Sequence, residues 1–134
     1  MSDKTFLPRS IPMVNVDPYF NIWSFSDRLY EDTPRHWTGK QNAMTGLLRV
    51  DGKWYRFMGL VEQNSENYYL EPEALLQTNI ELTPTKTVYT FENDEVELKV
   101  EFLCSLLLDD LDVMSRPISY ISYEVNSRDE KDHE

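Results

Sequence analysis

Between residues 95 and 104 the chain alternates without a slip. Val96, Leu98, Val100, Phe102 and Cys104 fall on one parity; Glu95, Glu97, Lys99 and Glu101 fall on the other. Strand side chains point to opposite faces with period two, so this stretch predicts a half-buried β-strand. Residues 86–91 carry Thr87, Tyr89 and Phe91 on one parity, and Asn93-Asp94 offers a turn between the two runs. That turn predicts a hairpin with Phe91 opposite Val96, Tyr89 opposite Leu98 and Thr87 opposite Val100. Lys86 and Glu101 then face each other on the wet side. A one-residue slip would bury four charges, so the register is strongly specified.

The second clear hairpin spans 44–50 and 53–58 around Asp51-Gly52. A type I′ turn needs positive φ at both central residues, which is why Asp-Gly marks one. It predicts Val50 opposite Lys53, Leu48 opposite Tyr55 and Gly46 opposite Phe57, with Tyr55 and Phe57 toward the core. Arg49 would face Trp54 in a cation–π contact on the other side.

Weaker runs complete the pattern. Residues 11–16, with Pro12 near the start, read as an edge strand ended by Asp17-Pro18. Residues 19–25 alternate, with Tyr19, Asn21, Trp23 and Phe25 on one face and Phe20, Ile22 and Ser24 on the other. They read as a strand buried on part of both faces. Residues 75–82 and 117–125 are further strands, Thr83-Pro84-Thr85 a bend, and 106–115 a connector with room for one helical turn. Residues 1–10 read as a flexible arm, 61–74 as a loop or short helical turn, and 126–134 as a turn that would start a further hairpin. About seven short strands with turn signals and almost no helix predict an all-β, antiparallel β-sandwich.

Composition narrows the function classes. Lys plus Arg is 13 and Asp plus Glu 24, so the net charge is 13 − 24 = −11. Nucleic acid and anionic membrane surfaces call for basic patches, so neither is an expected partner. No apolar run is long enough for a transmembrane helix, and no signal peptide is visible at the start. One cysteine and two histidines make neither a disulfide framework nor a zinc site. Four glycines, none in a Walker or Rossmann spacing, give no phosphate-cradling loop, and no cofactor or metal is expected.

Candidate chemistry concentrates in residues 26–42, which follow neither period and read as one long irregular loop. Loops of that length inside a compact domain are usually functional. Asp27, Arg28, Tyr30, Glu31, Asp32, Arg35, His36, Trp37 and Lys40 are its functional side-chain types. Tyr, Trp and Arg dominate interface hot spots, and aromatics beside charges also suit a small polar ligand. An exposed loop with internal salt bridges is the third reading. If the loop serves an interface, Arg28, Tyr30, Arg35, His36 and Trp37 face away from the sandwich core.

Elsewhere the bland readings weigh more. His36 has no serine, cysteine or supporting acid marking a triad, and reads as a packed, hydrogen-bonded ring. Asp109, Asp110 and Asp112 lack calcium-loop spacing, and Asp110 or Asp112 reads as a helix N-cap. Cys104 lies on a buried parity, where a thiol is inert.

Longer strings carry more information. Val16 to Asp32 (VDPYFNIWSFSDRLYED), Arg35 to Lys40 (RHWTGK) and Leu47 to Gly59 (LLRVDGKWYRFMG) resemble the N-terminal region of the glutaminase A family of fungi and gut-type bacteria. Gln77 to Phe91 (QTNIELTPTKTVYTF) and Leu107 to Pro117 (LLDDLDVMSRP) resemble its next stretch. The resemblance covers residues 11–134.

It implies a longer, exported hydrolase, extracellular or periplasmic, that converts L-glutamine to L-glutamate and ammonia. Such a parent has an N-terminal β-sandwich followed by a C-terminal helical toroid that holds the active site. On that basis the chain is an incomplete portion of a larger sandwich domain, truncated before the toroid and inactive alone. The toroid is its expected partner, and an open edge strand invites self-association. No catalytic residue of the family maps onto these positions. The alternative is a carbohydrate- or peptide-binding sandwich module of a glycoside-hydrolase-like parent, acting through the Tyr30/Trp37 loop.

Overall fold

A computed structural model of the chain describes residues 8–61 and 71–134. Its strands run in the order β1 (Ile11–Asn15), β2 (Asn21–Ser24), β3 (Gly46–Val50), β4 (Lys53–Met58), β5 (Glu73–Ala74), β6 (Leu76–Leu82), β7 (Lys86–Glu92), β8 (Val96–Cys104) and β9 (Ser119–Ser127). One short helix, α1 (Leu111–Met114), stands before β9. The fold is all-β, consistent with the expected β-sandwich.

One layer is the antiparallel sheet β6-β7-β8-β9. The other comprises the β1-β2 pair and the β3-β4-β5 sheet. Between them lie Ile11, Met13, Leu29, Tyr30, Tyr55 and Met58 from one side and Tyr89, Phe91, Leu98, Val100 and Phe102 from the other. Aromatic rings carry much of this contact. Phe57 meets Phe91 across the layers at 5.7 Å between centroids, and Tyr89 packs edge-on against Phe102 at 6.1 Å. Such pairs stabilise by about 0.5–1.5 kcal/mol beyond the area they bury. The Thr87 hydroxyl donates to the Pro12 carbonyl at 2.7 Å, tying the layers by a polar contact as well.

The β7–β8 hairpin forms on the predicted face but in a register two residues away. Phe91 pairs with Leu98, Tyr89 with Val100 and Thr87 with Phe102. The cause is Asn93. Its side-chain Oδ1 accepts from the N–H groups of Glu95 and Val96, and its own N–H donates to the Val96 carbonyl. The turn therefore centres on Asp94-Glu95 rather than Asn93-Asp94. A shift of two preserves parity, so every residue expected inside β8 is inside. Lys86 still reaches Glu101 at 3.1 Å, now along a diagonal.

The Asp51-Gly52 hairpin forms as expected near the turn, with φ of 49° and 83° at the two central residues. Its far end differs, because a bulge pairs Gly46 with Met58 and Leu47 with Arg56. Phe57 is the extra residue, and its ring fills the space a Cβ on Gly46 would need. The expected Arg49–Trp54 cation–π contact does not form. The Arg49 guanidinium curls to within 3.7 Å of the Cβ position on Gly52, and Lys53 lies over Tyr55 instead.

Other boundaries move too. β2 is shorter than 19–25, because the Asp17 carboxylate folds Tyr19 and Phe20 into a turn. Glu73–Ala74, expected as loop, adds a parallel strand beside Tyr55–Arg56. The rest of that expected loop, 62–70, and most of the expected arm, 1–7, lie outside the described residues. β9 runs two residues past Val125, and the segment after it folds back onto the β3–β4 turn. There Asp51 N–H donates to the Glu134 carbonyl and Glu134 N–H to the Asp51 carboxylate.

Candidate functional site

The long loop holds two halves that face opposite ways. In the first half, Leu29 and Tyr30 turn into the core. The Gln77 carboxamide on β6 clamps the backbone above them, accepting from Leu29 N–H at 2.8 Å and donating to the Asp27 carbonyl at 3.0 Å. From below, the buried Arg56 on β4 donates to the Tyr30 and Gly59 carbonyls and pairs with Glu71 at 3.0 Å. Its guanidinium also lies over the Tyr30 ring. Tyr30, expected to face away from the core, is therefore part of it. Arg28 remains exposed beside Glu31 and donates to the Tyr30 hydroxyl. Asp27 is exposed, and its backbone is what the fold uses.

The second half faces outward on a braced frame. Trp23 and Arg35 exchange backbone hydrogen bonds at 2.8 and 2.9 Å, which fixes residues 34–36 beside β2. Asp32 holds the Arg35 guanidinium through both carboxylate oxygens. The same ion pair draws the Asp32 carboxyl below its usual range, as a hydrogen-bonded guanidinium favours the ionised form. The next turn closes with His36 N–H on the Lys40 carbonyl and Gly39 N–H on the His36 carbonyl, Gly39 adopting φ 89°.

Asn21 joins this frame to the Asp17-Pro18 turn. It is buried, and its Nδ2 donates to the Asp17 and Pro18 carbonyls. Its Oδ1 accepts from the Trp23 indole at 3.0 Å and from Trp37 N–H at 3.1 Å. The Trp37 indole donates to the Pro18 carbonyl at 2.8 Å. The His36 Nε2 lies 3.2 Å from the same carbonyl and 3.2 Å from the Asn21 Nδ2, while Nδ1 accepts from Thr38 N–H. Among the described residues no carboxylate touches the ring.

Two large aromatics stand on this frame in solvent: Tyr19 is 94% exposed and Trp37 59%. Beside Tyr19, an open depression of about 340 Å³ is lined by Tyr19, Phe20, His36, Thr38 and Lys40, with Trp37 outside its lining. Of the residues singled out in sequence, His36, Trp37 and Lys40 come together here, with Arg35 bracing from behind. Asp27, Arg28 and Tyr30 belong to the other half. Tyr19 and Asn21 were missed as site residues. A buried-parity asparagine following an Asp-Pro turn is the signal that was available for Asn21.

The remaining candidates have structural places. Asp110 caps α1, its carboxylate accepting from Val113 N–H at 3.0 Å. Cys104 is buried and its sulfur accepts from Asn15 N–H. A cluster not anticipated from sequence surrounds His133. Its Nδ1 lies 2.8 Å from Asp51 and its Nε2 2.8 Å from Asp129. Two carboxylates on one ring favour the imidazolium, and the His133 pKa is raised accordingly. Lys131 and His133 together hold the Asp129 carboxyl well below the usual range.

Comparison with known proteins gives three findings. A family described as a domain of unknown function, DUF4964, matches residues 3–67, and a second, DUF5127, matches residues 85–134. The chain is 30% identical over 95% of its length to a protein named Glutaminase A from Aspergillus oryzae. It spans 18% of that relative's length. No solved structure matches significantly. The resemblance to the glutaminase A family thus extends across nearly the whole chain.

Proposed function

We propose that this chain is the N-terminal β-sandwich region of a longer glutaminase-type hydrolase, and that it presents a rigid docking face to a catalytic helical domain. The parent reaction in this reading is hydrolysis of the L-glutamine side-chain amide to L-glutamate and ammonia, outside the cytoplasm. Support for the parent comes from the 30% identity to Glutaminase A, which runs through both the strands and the long loop.

The observation that carries the docking role is the exposure of Tyr19 and Trp37 on backbone turns that are internally hydrogen-bonded. Large aromatics on a preorganised frame lose little conformational entropy when covered, which is how interface anchors gain affinity. The depression beside Tyr19 favours a second reading, a sugar- or peptide-binding module, since aromatic faces next to hydrogen-bonding groups suit both ligands.

An ammonia-release assay on the full-length protein, comparing glutamine with asparagine, tests the parent activity, and glutamine is the expected substrate. The 134-residue chain alone should release none. Trp37→Ala in the full-length protein should lower turnover by about tenfold through misplacement of the catalytic domain, with the sandwich still folded. Oligosaccharide or peptide binding by the isolated chain, perturbing Tyr19 and Trp37 resonances, would favour the module instead. Fractionation of cells making the full-length protein checks its export.

A further inference from the structure

Among the described residues, every lysine but one is spent on a carboxylate. Lys53 pairs with Glu73, Lys86 with Glu101, Lys99 with Glu97 and Lys131 with Asp129. Lys40 stands exposed on the outward turn with no such partner, although acids outnumber bases 24 to 13 along the chain. It lines the depression beside Tyr19, and that lining holds no aspartate or glutamate. Two acids of the surrounding frame are already engaged. Asp17 accepts from the N–H groups of Tyr19 and Phe20, and Asp32 holds the Arg35 guanidinium. On a chain of net charge −11, the depression is thus an acid-free place with one unspent cation.

One ammonium group does not hold a polyanion. Nucleic acid and anionic membranes are held by many cations at once, and the rest of this acidic surface repels them. A single carboxylate is the matching charge. Lys40 and the Asn42 carboxamide can donate to its oxygens, while Tyr19 and Phe20, 94% and 38% exposed, cover its hydrocarbon stem and keep water from the pair. A free carboxylate gains little from a contact this open, because exposed ion pairs are weak. A carboxylate on the same polypeptide needs less, since tethering supplies an effective concentration of about millimolar.

We propose, on the docking reading above, that the occupant is a carboxylate side chain from the remainder of the longer protein, seated on Lys40 against the Tyr19 ring. The Aspergillus relative has ample chain to supply it, as the present chain spans 18% of its length. An acidic patch on the remainder is repelled by most of this surface and drawn to Lys40. One ion pair therefore sets which way the two parts meet, with Trp37 as the apolar anchor alongside.

Carbodiimide coupling of the full-length protein tests this, because it joins an amine only to a carboxylate already in contact. Peptide mapping should find Lys40 linked to an Asp or Glu beyond residue 134. Hydroxyl-radical labelling of Tyr19 gives a second readout. Lys40→Glu should raise it toward the level of the 134-residue chain, and Lys40→Arg should leave Tyr19 shielded. Replacing the linked acid by lysine in the Lys40→Glu background should restore the shielding. Lys40 is exposed and unpaired, so neither change at 40 should unfold the sandwich, and far-UV circular dichroism checks that. No Lys40 crosslink beyond residue 134, or a shielded Tyr19 indifferent to Lys40→Glu, overturns the proposal and leaves the docking role standing. Equal labelling of Tyr19 in the full-length and short proteins ends both. Saturable binding of free L-glutamate by the 134-residue chain, lost in Lys40→Met, also overturns it and identifies a free ligand as the occupant.

Discussion

The two halves of the long loop begin from the same kind of sequence and reach opposite ends. Residues 27–31 and 35–40 are both aromatic, basic and aperiodic. The first is gripped from two sides by Gln77 and Arg56, and its tyrosine is spent on the core. The second is gripped from behind by Trp23, Asp32 and Asn21, and its tryptophan is left in solvent. Which half serves the fold and which is free for a partner depends on where the bracing residues sit, and none of the main braces except Asp32 lies within the loop.

The largest effect should come from the inward half. Tyr30→Ala empties a site in the central cluster and removes the ring under Arg56, so unfolding stability should fall by about 3–5 kcal/mol in denaturant titration. Asn21→Ala should cost less, about 1–3 kcal/mol, because it leaves buried donors and carbonyls unpaired. Its sharper signature is spectroscopic: without the Asn21 carboxamide to hold the Trp23 indole and the Trp37 backbone, near-UV circular dichroism should weaken while the β-rich far-UV spectrum holds. An Asn21 variant with unchanged near-UV bands would break the account of how the outward half is held.

A smaller effect concerns the chain end. The His133 pKa is raised by its hydrogen bonds to Asp51 and Asp129, so the imidazolium is favoured in the folded state. A raised folded pKa contributes stability that is complete below the unfolded value. It is lost as pH rises through the folded one. Docking of the tail on the β3–β4 turn should therefore be firm in mild acid and loosen above neutrality. Amide exchange at Asp51 and Glu134 should show that trend in the wild type and lose it in His133→Gln. Smallest of all, Trp37→Ala in the isolated chain should change stability by no more than about 0.5 kcal/mol, as an exposed residue away from the core should.

Period-two alternation made the strands legible, and Asp51-Gly52 made one turn legible to the residue. It did not distinguish the Asn93-Asp94 turn from the Asp94-Glu95 turn, because a shift of two leaves every face unchanged. Nor does alternation say whether a face is covered: Tyr123 alternates as cleanly as Val100 but is exposed. The loop composition singled out Trp37, His36 and Lys40, which the fold brings to one outward face. Tyr30 could not be separated from Trp37, since its burial depends on Gln77 and Arg56, far away in the chain. The His133 cluster depended on a fold-back that no local pattern announces.

The central claim is that the outward half is covered by the remainder of a longer protein. Hydroxyl-radical footprinting of Tyr19 and Trp37, in the 134-residue chain and in the full-length protein, measures this directly. Trp54, about half exposed on the hairpin, provides the reference. The account predicts ready labelling of all three in the short chain. In the full-length protein, Tyr19 and Trp37 should be strongly shielded and Trp54 should be labelled as before. Equal labelling of Trp37 in the two proteins would contradict it.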